Sequence, residues 1–321
     1  MTTPDTLRSP GAGAVRGTQS FVHTLSSCWR RPSLTLLEVG WRWAYGIPAG
    51  LLAGFEVRKV LLAATGGTLD PARLGLDSTL LGDPVGALSA DPLAATGKFA
   101  AAIGLVLPGL EHVGVWLVPL LLVSWIVASS LGRTLVLKRA DGAMHARPLT
   151  LIGLQAIRMA ALLSVIAGWF WLIQGSSRLA ITGPIAAGTE PNLVLYCGLV
   201  IVLTLGFFTT WAVLSWVFFV APLLAMLENR GVLASMRAAF GLGGLKSKLV
   251  EINLVMGIVK IALIVLAMVF SATPLPFESV TTPQFLANWW AGVTLLYLLW
   301  SDFFHVARLV GYLNLWRAYK N

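Results

Sequence analysis

Long apolar runs alternate along this chain with short polar segments rich in arginine and lysine. Crossing a hydrocarbon layer about 30 Å thick takes roughly 20 apolar residues in a helix, and several runs exceed that. The pattern predicts an all-α, polytopic transmembrane bundle with six spanning helices. They are expected at about Leu34 to Phe55, Val113 to Val136, Leu149 to Ile173, Asn192 to Leu227, Leu249 to Ser271 and Phe285 to Leu309. Residues 1–20 are polar and rich in Gly, Ser, Thr and Pro, and are expected to form a disordered tail. Residues 21–321 are expected to form one membrane domain with an outer loop at about 65–112.

Short helices at the membrane surface complete the expected bundle. Residues 20–31 carry Phe21, Val22, Leu25 and Trp29 ahead of Arg30 and Arg31, and Val232 to Phe240 has a similar amphipathic pattern. Residues 99–110 form an apolar stretch ended by Pro108-Gly109, which is short for a span and reads as an interfacial or re-entrant helix. The fourth run is longer than a bilayer needs and is expected to tilt, bend near Pro222 or project into the cytoplasm.

Composition places the protein in a bilayer rather than in water. Apolar residues are 57% of the 321 and charged residues only 12%. A net charge of +9 fits basic residues gathered in cytoplasmic loops. No basic patch is interleaved with aromatics on a soluble domain, so nucleic acid is not an expected partner. The short inner segments hold most of the Lys and Arg, which predicts both termini on the cytoplasmic side of a bacterial cytoplasmic membrane. Cys28 and Cys197 are expected near opposite faces, as free thiols.

Charges inside the apolar runs are the sharpest feature. A charge at bilayer depth costs on the order of 3 kcal/mol, which disfavours leaving it to face lipid. Lys260 lies about 16 Å above the inner end of the fifth helix, and Asp302 about 10–15 Å above that of the sixth. The two are expected to form an ion pair between antiparallel neighbours, with His305 one turn below Asp302. Glu38 and Arg42, four residues apart in the first helix, form a second expected pair. Gly46, Gly50 and Gly54 repeat a small-xxx-small spacing, for which close packing within the chain is expected ahead of a homodimer seam. Glu251, Asn253, Arg308 and Asn314 add polar character near the inner ends of the last two helices.

No catalytic or metal motif is apparent. His23, His112, His145 and His305 are scattered, and neither cysteine has a second ligand at zinc-binding spacing. The glycine-rich stretch from Gly241 to Ser247 lacks the Gly-Lys step and preceding strand of a phosphate loop. No cofactor is expected.

Two stretches carry a resemblance. Phe21 to Leu36 includes the Arg31-Pro32-Ser33-Leu34 entry into the first helix. Phe219 to Glu228 is followed by Ala234-Ser235-Met236-Arg237-Ala238-Ala239-Phe240. Together they resemble uncharacterised bacterial six-helix membrane proteins, a group that includes the membrane domain attached to some glycerophosphodiester phosphodiesterases. The soluble phosphodiesterase domain has no counterpart here, so the resemblance implies a fold without that chemistry. The expected function is a non-catalytic membrane scaffold or accessory subunit that binds membrane lipids or partner membrane proteins. The runner-up is a small-solute or proton-coupled transporter using Lys260, Asp302 and His305. A transport site needs several convergent polar groups, and the sequence alone does not bring them together.

Overall fold

Five of the long or short helices begin at a proline, at positions 32, 84, 92, 148 and 283. Proline suits the first helical position because its missing N–H has no intrahelical partner there anyway. The computed structural model describes residues 24–26, 28–77, 80–81, 84–242, 245–272 and 282–320. The expected tail at 1–20 therefore lies outside the described residues, as do His23 and most of the turn after the fifth run.

The described residues are helical with no strand. The helices are α1 (Pro32–Ala64), α2 (Pro84–Ala90), α3 (Pro92–Ala140), α4 (Pro148–Ser177), α5 (Leu193–Leu227), α6 (Val232–Phe240), α7 (Leu245–Ala272) and α8 (Pro283–Lys320). A short helical segment covers Thr24–Ser26 and Cys28–Trp29 ahead of α1. Among the described residues, five helices are long and apolar enough to cross a membrane: those at Ala94–Ala140, Pro148–Ala186, Leu193–Leu227, Ser247–Ala272 and Gln284–Arg317. The fold is a helical membrane bundle. By Cα proximity the chain divides into two units, residues 1–40 with 129–321 and residues 41–128.

Two expected boundaries are corrected. The region expected as a loop with a separate re-entrant helix instead leads into α3, which runs unbroken for 49 residues through Pro108 and Pro119. At 1.5 Å per residue it is about 73 Å long, well beyond one bilayer. Proline is tolerated inside long membrane helices because neighbouring groups satisfy the freed carbonyl. The last helix also runs past its expected end at Leu309, since α8 continues to Lys320. Its Leu309, Tyr312 and Leu313 recur at helical spacing and are buried, so burial carries the helix onward.

The larger core of the first unit surrounds the last third of α5. Trp216, Val217 and Phe219 through Met226 are buried there, among Leu137, Leu151, Leu154, Ala239, Leu249, Tyr312 and Leu313. The first half of α5 shows the opposite, with Val194 85% exposed and Leu193 and Val202 also bare, as lipid-facing residues are. Asn192 caps α5 by accepting from the Leu195 N–H at 2.9 Å. At its other end Asn229 takes a left-handed φ of 54°, and the Arg230 N–H returns to the Ala225 carbonyl. The α6 helix folds back onto α5 and α4, with Gly153 admitting Val232. Near the end of α8, Arg317 pairs with Asp141 in the turn after α3. The hydrogen bond from Arg317 holds the Asp141 carboxyl below its usual value of 3.8.

Helix α7 lies beside α8, and the two run antiparallel. The Trp289 and Trp290 indole N–H groups at the start of α8 donate to the carbonyls of Phe270 and Ser271 at the end of α7. Asn253 near the start of α7 meets Tyr312 near the end of α8.

In the second unit, the close helix contact forms at a glycine other than those expected. A Cβ on Gly109 would sit 2.6 Å from Val60 Cγ1, so only glycine lets α3 approach α1 so closely. At Gly46, Gly50 and Gly54 a Cβ would meet nothing within 4 Å among the described residues, and the close packing within the chain expected there is not observed. Tyr45 on α1 ties the same two helices by donating to the Leu121 carbonyl at 2.6 Å, and its ring packs on Trp125.

Gly109→Ala is expected to cost about 1–3 kcal/mol through overpacking. Gly50→Ala should leave the melting temperature unchanged or slightly raised; detergent thermal unfolding measures both. A second outcome concerns pH. Asp141 has a lowered folded pKa, so its contribution is present above the unfolded value near 3.8 and is lost as pH falls through the folded value. Asp141→Asn should flatten that acid-side decline by at most about 1 kcal/mol, read from melting temperatures across pH.

Candidate functional site

Four polar residues of α8, Asp302, His305, Arg308 and Tyr312, recur every three or four positions and so share one helical face. Asp302 is 4% exposed and Tyr312 is buried with it. Other helices of the first unit add buried polar groups: Glu38 from α1, Ser129, Ser130, Arg133 and Thr134 from α3, Gln155 from α4, Ser215 from α5 and Asn253 from α7. Arg158 of α4, with His305 and Arg308 of α8, is only half-buried.

The contacts fix much of the chemistry. Asn253 Nδ2 donates to the Ala212 carbonyl at 2.7 Å and to Ser215 Oγ at 3.0 Å. Its Oδ1 accepts from Tyr312 Oη at 3.4 Å and from Arg308 Nη1 at 3.5 Å. This one amide joins α5, α7 and α8. Arg308 Nη2 lies 3.1 Å from His305 Nδ1. A guanidinium only donates, so Nδ1 is the accepting atom in this contact. On the other side of the ring, His305 Nε2 lies 3.6 Å from Glu38 Oε1.

Phe219 stands at the centre. The guanidinium carbons of Arg308, Arg158 and Arg133 lie 3.7, 4.7 and 5.5 Å from its ring centroid. The His305 ring meets it edge-on, with centroids 6.0 Å apart. A guanidinium over a desolvated ring gains on the order of 2 kcal/mol, so Phe219 helps hold three like charges in one place. Glu38 and Asp302 are the buried acids of this unit among the described residues. Ser215 Oγ donates locally to the Ala212 carbonyl at 3.2 Å. No group of three or more His, Cys, Asp or Glu able to hold a metal occurs among the described residues.

The expected site residues fall in several places. His305 belongs to the cluster, with Asn253 and Arg308, and Asp302 is buried one turn before His305 on α8. Lys260 lies on an exposed face of α7, and Glu251 and Asn314 are exposed as well. Glu38 joins the cluster through His305, while the Arg42 guanidinium lies 5.4 Å from the Trp41 ring centroid. Cys28 is a buried free thiol and Cys197 an exposed one. Sequence reasoning missed Arg133, Arg158, Phe219 and Tyr312. A signal existed for the two arginines: Arg133 lies about 10 Å from the end of α3 and Arg158 about 15 Å from the start of α4, deeper than loop-flanking charges sit.

Nitrogen NMR of histidine-labelled protein should show His305 as the Nε2–H tautomer at neutral pH. In Arg308→Gln the Nδ1 acceptor loses its cationic donor, and the resonance should shift toward a mixed tautomer population.

Comparison with family models, with curated proteins and with solved structures finds no match for this chain.

Proposed function

We propose that the chain is a non-catalytic membrane protein that binds an anionic solute at the cluster around Phe219, in the manner of a small-solute transporter. The observation that carries this reading is the gathering of three guanidiniums on one ring inside a membrane bundle. Ionisable groups at that position are costly, and their usual role is to line a substrate or ion path. Clustered guanidiniums favour an anion. A planar guanidinium pairs with carboxylate or phosphate oxygens in bidentate fashion, which narrows the class to carboxylates and phosphates. Arg158, His305 and Arg308 are half-buried and so within reach of a small solute. The sequence ranks this reading second for want of convergent polar groups, and the convergence described above raises it.

The scaffold or accessory-subunit reading keeps one supporting observation. Asn253 uses both its donors and its acceptor within the bundle, as a residue that locks helix register does. In either reading the chain resides in a bacterial cytoplasmic membrane with both termini inside, which the arginine-rich turns support.

Thermal unfolding of the detergent-purified protein tests the proposal. A ligand at 100 times its dissociation constant stabilises by about 2.7 kcal/mol. Inorganic phosphate or succinate is expected to raise the melting temperature of the native protein, and neither should do so for Arg158→Gln or Arg308→Gln. Equal shifts in native protein and both variants, or no shift with either anion, would overturn it.

A further inference from the structure

A groove of about 360 Å³ runs between α7 and α8, lined by Leu263, Leu266, Phe270, Val293, Leu296 and Trp300 among others. The hydrogen bonds from Trp289 and Trp290 to the end of α7 tie the two helices together at one end of it. From Asn288 to Trp300 it follows α8 for about 18 Å. At its other end, Trp300 also lines a second recess of about 370 Å³. Leu25, Ser26, Trp29, Arg30 and Phe303 complete that recess, so its wall includes the short helical segment before α1. Trp29 stacks on Trp300, with ring centroids 6.4 Å apart, and meets Phe303 edge-on.

The two recesses form one amphipathic trough, apolar along α7 and α8 and ending at a hydroxyl and a guanidinium. We propose that this trough binds one phospholipid with a negatively charged headgroup. An acyl chain lies along the α7–α8 groove, and the headgroup phosphate meets Arg30 and Ser26. Charge complementarity selects this occupant. A second protein helix would leave Arg30 facing apolar surface, whereas a lipid supplies a long apolar tail and an anion at the same spacing. The ring contact of Trp29 with Trp300 makes the segment before α1 part of the site. The proposal rests on different residues from the Phe219 cluster and stands or falls separately from it.

Native mass spectrometry of the full chain, delipidated in detergent and back-titrated with phosphatidylglycerol or phosphatidylcholine, tests this. The native protein is expected to retain one phosphatidylglycerol in preference to phosphatidylcholine by about five-fold, the value of one basic residue at a membrane surface. Arg30→Gln, at an exposed position, should bind both lipids equally. Gly292→Leu should lose both, because Gly292 lines the groove and a Cβ there meets nothing within 4 Å, so the added side chain has space to enter it. Equal retention of the two lipids by native protein, or a preference for phosphatidylglycerol unchanged in Arg30→Gln, would overturn the proposal even if the glycine variant fails to fold.

Discussion

A charged side chain inside a membrane bundle must find company, and in this protein it finds it around a single phenylalanine. Phe219 offers a polarisable face to three guanidiniums, while Glu38 and Asp302 supply buried negative charge in the same unit. Each arginine comes from a different helix, so α3, α4 and α8 are held to α5 by the same ring. Loss of one member would do more than remove one contact, because it would leave the remaining buried charges less balanced. The cluster therefore combines two properties that are often separate. It fixes the packing of the bundle, and it concentrates the chemistry on which recognition of an anion depends.

The surrounding core explains why this arrangement is affordable. The last third of α5 is buried almost without interruption from Ser215 to Met226, and apolar contacts there come from every other long helix of the unit except α1. Polar groups that would be costly in isolation are placed against this dense region rather than against lipid. Asn253 shows the same economy on a smaller scale. One amide meets a backbone carbonyl, a serine, a tyrosine and an arginine, so none of its capacity is left unmet.

How much of this was legible beforehand depends on the range of the interaction. Fold class and the approximate positions of the long helices follow from run length alone. Pro108-Gly109 misled because proline and glycine read locally as a helix end; here Gly109 is a contact point for Val60 inside a continuous helix. The glycines at 46, 50 and 54 misled in the opposite sense, since spacing specifies a face without specifying a neighbour. In the site, Asp302 and His305 were visible one turn apart, and Arg308 as polar character near the inner end of the last helix. Glu38 was visible only with its local neighbour Arg42, because pairing with His305 spans most of the chain. Phe219 carried no signal at all, as a phenylalanine in an apolar run looks like any other. Arg133 and Arg158 were absorbed by the rule that places basic residues at cytoplasmic ends.

The two indole bonds that tie α8 to α7 also impose a one-sided rule on how this hairpin can diverge. Both acceptors are main-chain carbonyls, at Phe270 and Ser271, which any residue would provide. Both donors are indole N–H groups, which only tryptophan carries. Evolutionary drift is thus free on one strand of the contact and tightly restricted on the other, and tryptophan at 289 and 290 is the part of the hairpin that related sequences would have to keep.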